Sequence, residues 1–83
     1  RADIYACGVM LFELVTGRAP FEGESAEAVL AKHAAEPPPR PSAIAPDLPI
    51  GYDAIVLRAL AKSPADRFQT ARELRTALKR LLR

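Results

Sequence analysis

The sequence predicts an all-α fold of four helices with one long Pro-rich loop. Three observations carry this expectation. Alanine is abundant and aromatic residues are only 6% of the chain, a balance that favours helix over sheet. No β-branched run is long enough to suggest a sheet. Apolar residues recur at helical spacing in four stretches that have recognisable start or stop signals.

The first stretch runs from about Ala2 to Thr16. Its apolar positions, Ile4, Val9, Met10, Leu11, Phe12, Leu14 and Val15, cover much more than one stripe. A helix apolar nearly all round is usually buried inside something larger. Gly17 can supply a left-handed C-cap, and Pro20 stops continuation. The second stretch runs from about Ala26 to Ala35. Ser25 suits its N-cap, and Glu27 places negative charge in its first turn. Val29, Leu30 and His33 recur at helical spacing, and Pro37-Pro38-Pro39 ends the helix by removing donors and forcing an extended backbone. The stretch 37–49 is the long loop, read as an ordered connector rather than a Pro-rich ligand. The third helix runs from about Tyr52 to Ala61 with Ile55, Val56, Ala59 and Leu60 on one face, and Ser63-Pro64-Ala65-Asp66-Arg67-Phe68 follows as a turn. The fourth starts after Gln69. Thr70 is its N-cap and Glu73 stands at capping-box spacing, with Leu74, Ala77, Leu78, Leu81 and Leu82 as its apolar stripe.

Length and composition bound the reading further. At 83 residues this is at most one small domain. Such a chain buries only about 60–65% of its unfolded surface, so its core is marginal. A net charge of +2 is too small to imply nucleic acid, and the basic residues near the end, Lys79, Arg80 and Arg83, suit the negative end of a helix. A single cysteine, Cys7, excludes an intrachain disulfide framework. No apolar run approaches the roughly 18 residues of a membrane span. The chain opens on Arg1-Ala2-Asp3 with neither an initiator Met nor an apolar leader, which reads as a cut from something longer.

Two ordered motifs carry a resemblance. The run Asp3-Ile4-Tyr5-Ala6-Cys7-Gly8, with its apolar helix and then Thr16-Gly17-Arg18-Ala19-Pro20-Phe21, precedes the Pro-rich loop. After the loop comes Ala59-Leu60-Ala61-Lys62-Ser63-Pro64-Ala65-Asp66-Arg67-Phe68. In this order and spacing the chain resembles the last part of the catalytic domain of eukaryotic-like Ser/Thr protein kinases, most closely the bacterial type. It is similar to helices F through I of the large lobe. The resemblance covers essentially residues 1–83 and implies a partial kinase domain, with the small lobe, catalytic loop and activation segment upstream and absent from these residues.

The resemblance also implies roles. Asp3 would be the carboxylate at the start of the central helix that accepts hydrogen bonds from the His-Arg-Asp catalytic loop. Spacing alone makes it an acid complementing a helix dipole. Met10 and Leu14, four apart on one face, would anchor the apolar column that ends at the adenine of ATP, a role that is itself packing. Glu13 would receive a basic side chain of the protein substrate, or is a solvated acid; both readings stay open. Arg67 would pair with the glutamate of the Ala-Pro-Glu motif, since a planar guanidinium fork binds a carboxylate bidentately. Without the resemblance it is a surface arginine beside Asp66. His33 has no second histidine or cysteine for a metal and reads as a helix-surface residue, and Cys7 reads as buried and inert. Tyr5 reads as core, or rests on the activation segment.

The implied parent would transfer the γ-phosphoryl group of ATP to a protein Ser or Thr, using ATP and magnesium, in the cytoplasm, either free or anchored to a membrane through a later segment. No G-x-G-x-x-G, H-R-D or D-F-G occurs in this chain, so it is expected to bind no cofactor and to be inactive alone. Its partners would be the upstream part of the kinase domain and the parent's protein substrates, with no nucleic acid and no membrane span here. The alternative from another class is a free-standing helical interaction module derived from a kinase remnant.

Overall fold

The computed structural model describes the backbone of residues 2–81 and the side chains of residues 4–81. Its order is α1 (Ala2–Thr16), α2 (Ala26–Ala35), α3 (Pro41–Ile44), α4 (Tyr52–Ala59), a 3₁₀ turn (Pro64–Asp66) and α5 (Ala71–Leu81). Among the described residues there is no strand, so the fold is all-α. The four substantial helices are those expected. The Asp3 carboxylate and Leu82 lie outside the described residues.

The ends of α1 and α2 follow from local chemistry. Gly17 takes φ +77°, and its N–H reaches back to the Glu13 carbonyl at 2.9 Å, closing α1. The Ser25 side chain accepts the Ala28 N–H at 3.1 Å and opens α2. Thr70 accepts the Glu73 N–H at 3.1 Å and opens α5. The Glu73 carboxylate reaches back one residue further than a capping box requires, accepting the Gln69 N–H at 2.7 Å.

The Pro-rich stretch holds one helical turn the sequence pattern does not announce. Pro41 sits at the start of α3, where its missing N–H costs nothing, and it is fully buried. Asp53, in the first turn of α4, accepts the Ser42 N–H at 2.9 Å and the Ser42 hydroxyl at 2.5 Å, which ties α3 to α4. The third helix ends at Ala59, two residues short of the expected Ala61, and Leu60 caps it.

Two apolar clusters form a continuous core where α1, α4 and α5 meet. In one, Phe12, Val56 and Leu60 are fully buried with Tyr52. In the other, Ile4 and Ala59 pack with Phe68 and Leu74. Gly8 lets α1 and α4 approach: a Cβ there would lie 2.9 Å from Ala59 Cβ and 3.0 Å from Leu60 Cδ2. The buried Tyr52 donates its hydroxyl to the Leu11 carbonyl at 3.2 Å, meeting the need of a buried polar group for a partner.

Candidate functional site

Helix α1 has two faces with opposite fates. Ile4, Gly8 and Phe12, each four residues from the next, point into the core. Met10 and Leu14 stand on another face and are 55% and 73% exposed. Beside them Cys7, Met10 and Leu11 of α1 and Leu74 and Leu78 of α5 line an apolar groove of about 220 Å³. Cys7 is half-buried at this groove rather than sealed in the core. Glu13 is exposed, and among the described residues no cation pairs with its side chain. The helix therefore presents a ready apolar surface. Covering a Met or Leu side chain contributes about 1.5–3 kcal/mol.

A second constellation forms around Arg67. Its Nε–H donates to the Ala61 carbonyl at 2.6 Å and its Nη2 to the Lys62 carbonyl at 3.2 Å. The guanidinium lies 4.8 Å from the centre of the Tyr5 ring. These contacts fix the fork, so the surface reading of Arg67 beside Asp66 gives way to a half-buried residue. Tyr5 shares a hydrogen bond with His33 Nδ1, and the His33 ring meets Tyr5 and Phe21 edge-on, at 5.5 and 4.8 Å between centres. Lys62 donates to the His33 carbonyl at 2.7 Å and lies 4.5 Å from the Phe21 ring centre, within cation–π range. Together Tyr5, His33, Lys62 and Arg67 open onto a cleft of about 440 Å³.

The electrostatics of this cleft are positive. Burial, helped by Lys62, lowers the pKa of His33 and keeps the imidazole neutral. Burial raises the Tyr5 hydroxyl, with Arg67 pulling the other way. Burial also lowers Lys62, opposed by Glu36 and reinforced by Arg67. A neutral ring beside two cations suits an anionic group such as a carboxylate.

The structure thus brings Arg67 and Tyr5 together and leaves Met10, Leu14 and Glu13 on the outside. His33, read from sequence as a helix-surface residue, is instead half-buried between two aromatic rings. Lys62 also escaped sequence reasoning. The five residues of this cluster come from positions 5, 21, 33, 62 and 67, and no local pattern joins them. Among the described residues no group of three or more His, Cys, Asp or Glu side chains could hold a metal ion, and no helix is long and apolar enough to cross a membrane.

Comparison with known proteins gives a consistent set of relatives. A probable serine/threonine-protein kinase of Corynebacterium efficiens is 51% identical over 87 aligned positions, which take in 100% of this chain and 13% of that protein. The probable serine/threonine-protein kinase PknB of Corynebacterium glutamicum is 52% identical, over 100% of this chain and 14% of its own length. The serine/threonine-protein kinase PknB of Mycobacterium tuberculosis is 46% identical, over 98% of this chain and 13% of its own length. The chain thus spans about an eighth of the length of these curated relatives. No protein-family model matches it.

Proposed function

Because this chain belongs, along its whole length, with a segment of the bacterial Ser/Thr protein kinases, we propose that it forms the base of a kinase large lobe, supporting the catalytic loop and the protein-substrate surface. The parent would transfer the γ-phosphoryl group of ATP to protein Ser or Thr, with ATP and magnesium held by residues upstream of this segment. Such chemistry is mostly positioning and electrostatic stabilisation, so a rigid base contributes by holding loop geometry.

The single observation that carries this reading is the open apolar face of α1. Met10 and Leu14 stand exposed beside a groove lined almost wholly by carbon. A face of that kind marks an interaction surface. In the proposed assembly it takes the upstream helices of the same lobe. Arg67, oriented by two carbonyls and the Tyr5 ring, meets the glutamate of the Ala-Pro-Glu motif. Asp3 receives the catalytic-loop N–H groups, and Glu13 is free to meet a basic substrate side chain.

A chimera tests this. The matching segment of the C. glutamicum kinase is replaced by these 83 residues, and phosphoryl transfer from ATP to a generic protein is measured. The chimera is expected to keep activity. Met10→Asp with Leu14→Asp is expected to abolish it, because two carboxylates would be buried without partners. Unaltered activity in the double variant would overturn the placement. An inactive chimera, with the chain instead forming a stable self-associated species, would favour the free-standing module.

A further inference from the structure

The surface of α5 opposite the apolar groove carries a further cleft, of about 370 Å³, whose lining includes the core residue Phe68 and none of the residues assigned to the proposed lobe assembly. Arg72, Thr76 and Arg80 follow one another at four-residue intervals along α5, so they share one face. Arg58 comes to the same cleft from α4, its guanidinium held 4.2 Å from the centre of the Phe68 ring. Three guanidinium groups therefore line one concavity, and among the described residues none of them is in an ion pair. The acid at the cleft, Glu73, has one carboxylate oxygen engaged by the Gln69 N–H.

This grouping is costly without an anion. Helix α5 holds Arg72, Arg75, Lys79 and Arg80 against Glu73, in a chain whose whole net charge is only +2. Guanidinium groups lining one concavity repel one another, and an anion seated among them relieves that repulsion. Arginine offers a planar fork of donors that matches the oxygens of a phosphate, and the Thr76 hydroxyl adds a further donor at the same site. We propose that this cleft binds the phosphate monoester of a phosphorylated Ser or Thr side chain on a protein partner.

The shape favours a side chain over a membrane. A helix that lies on a bilayer inserts its apolar face. Most of the apolar face of α5 packs on the core through Leu74, Ala77, Leu78 and Leu81, and the part left open, at the groove with Met10, lies on the opposite side of the helix from Arg72, Thr76 and Arg80. The cleft is also a single pocket between two elements rather than a track for a repeating phosphate backbone. The choice of a phosphorylated Ser or Thr, the product of the proposed reaction, rests on the kinase reading; the anion preference of the cleft does not.

The test is fluorescence anisotropy of a labelled peptide with one phosphothreonine, against the same peptide unphosphorylated, on the protein containing this segment. The phosphorylated form is expected to bind at least about tenfold more tightly, a difference of about 1.4 kcal/mol. Arg72→Glu with Arg80→Glu should remove that preference, and Lys79→Glu, on the same helix but outside the cleft, should retain it. Circular dichroism checks that the variants fold, and Arg72→Gln with Arg80→Gln serves if charge reversal unfolds the helix. Equal binding of both peptides overturns the proposal, as does a preference that survives the double variant. Binding to phosphatidylserine vesicles without binding to the phosphopeptide overturns it in favour of a membrane surface. A chimera that transfers no phosphoryl group but still selects the phosphopeptide would support the cleft and sink only the kinase reading.

Discussion

Helices α1 and α2 each end where a local signal, Gly17 or the triple proline, says they should, yet they are held in place by different physics. Helix α1 buries Ile4, Gly8 and Phe12 against α4 and α5. Helix α2 buries no residue at all. It is held by the His33 ring between Tyr5 and Phe21, by Lys62 on the carbonyls of Lys32 and His33, and by Lys32 on the Glu22 carbonyl. Apolar burial is non-directional and scales with area, so α1 is anchored along its length. A polar latch gives each contact only about 0.5–1.5 kcal/mol net, and it depends on protonation. The same helix-forming sequence signals therefore lead to one element that belongs to the cooperative core and one that can open locally.

Four perturbations sharpen this contrast. The largest expected effect is Phe12→Ala. Phe12 is fully buried, and its truncation should cost about 3–5 kcal/mol in denaturant unfolding. A cost under about 1 kcal/mol, the level of a surface substitution, would break the assignment of α1 to the core. Next is Gly8→Ala. The added Cβ would sit 2.9 Å from Ala59 Cβ, where neither side chain can swing away. Overpacking of about 1–3 kcal/mol is set against a helix-propensity gain of about 1 kcal/mol, so net destabilisation of up to about 2 kcal/mol is expected. A more stable Gly8→Ala protein would contradict the close approach of α1 and α4.

Thr70→Ala follows, at about 1 kcal/mol, because it removes the side-chain acceptor of the Glu73 N–H at the start of α5. The smallest global effect belongs to the latch. His33→Ala should change global stability by less than about 1 kcal/mol while speeding amide exchange throughout α2 and leaving α4 unchanged. Acid should mimic it. The folded pKa of His33 lies below its usual 6.5, so the open state takes up the proton more readily. The contribution of His33 is then fully present above about pH 6.5 and is lost as pH falls through the depressed folded value. Protection of α2, with the intrinsic pH dependence of exchange divided out, that does not change between pH 7.5 and pH 5 would remove the titrating latch; these values lie about 1 unit above and about 1.5 units below the unfolded pKa.

The contrast also explains what was legible in the sequence. The end of α1 and both bounds of α2 could be read because Gly17, Ser25 and the triple proline act within a few residues of the ends they set. The core face of α4 followed from helical spacing, as Val56, Ala59 and Leu60 bear out, whereas α1 is apolar nearly all round and its spacing did not separate the buried Phe12 from the exposed Met10 and Leu14. Helix α3 was hidden because its one turn has no periodicity, and its stabilising acceptor, Asp53, lies eleven residues away. The His33 latch was hidden for a stronger version of the same reason. Its members are separated by up to 62 positions, Tyr5 to Arg67, and a lone histidine on a helix that buries no residue gives no local sign of the rings that will enclose it. Family resemblance picked out Arg67 and the α1 face but could not say that Met10 and Leu14 would stand open beside Cys7.

That open face is the centre of the account, and the chain's single cysteine reports on it directly. Cys7 lines the groove that the rest of the lobe is proposed to cover. The measurement is its rate of reaction with a thiol reagent, in the 83-residue chain and in the active chimera with every other cysteine replaced. Modification is expected to be at least about tenfold slower in the chimera, because a covered groove must open locally before the reagent can enter. Equal rates in the two would show that the groove stays open in the assembled kinase, and would contradict the placement of this segment beneath the catalytic loop.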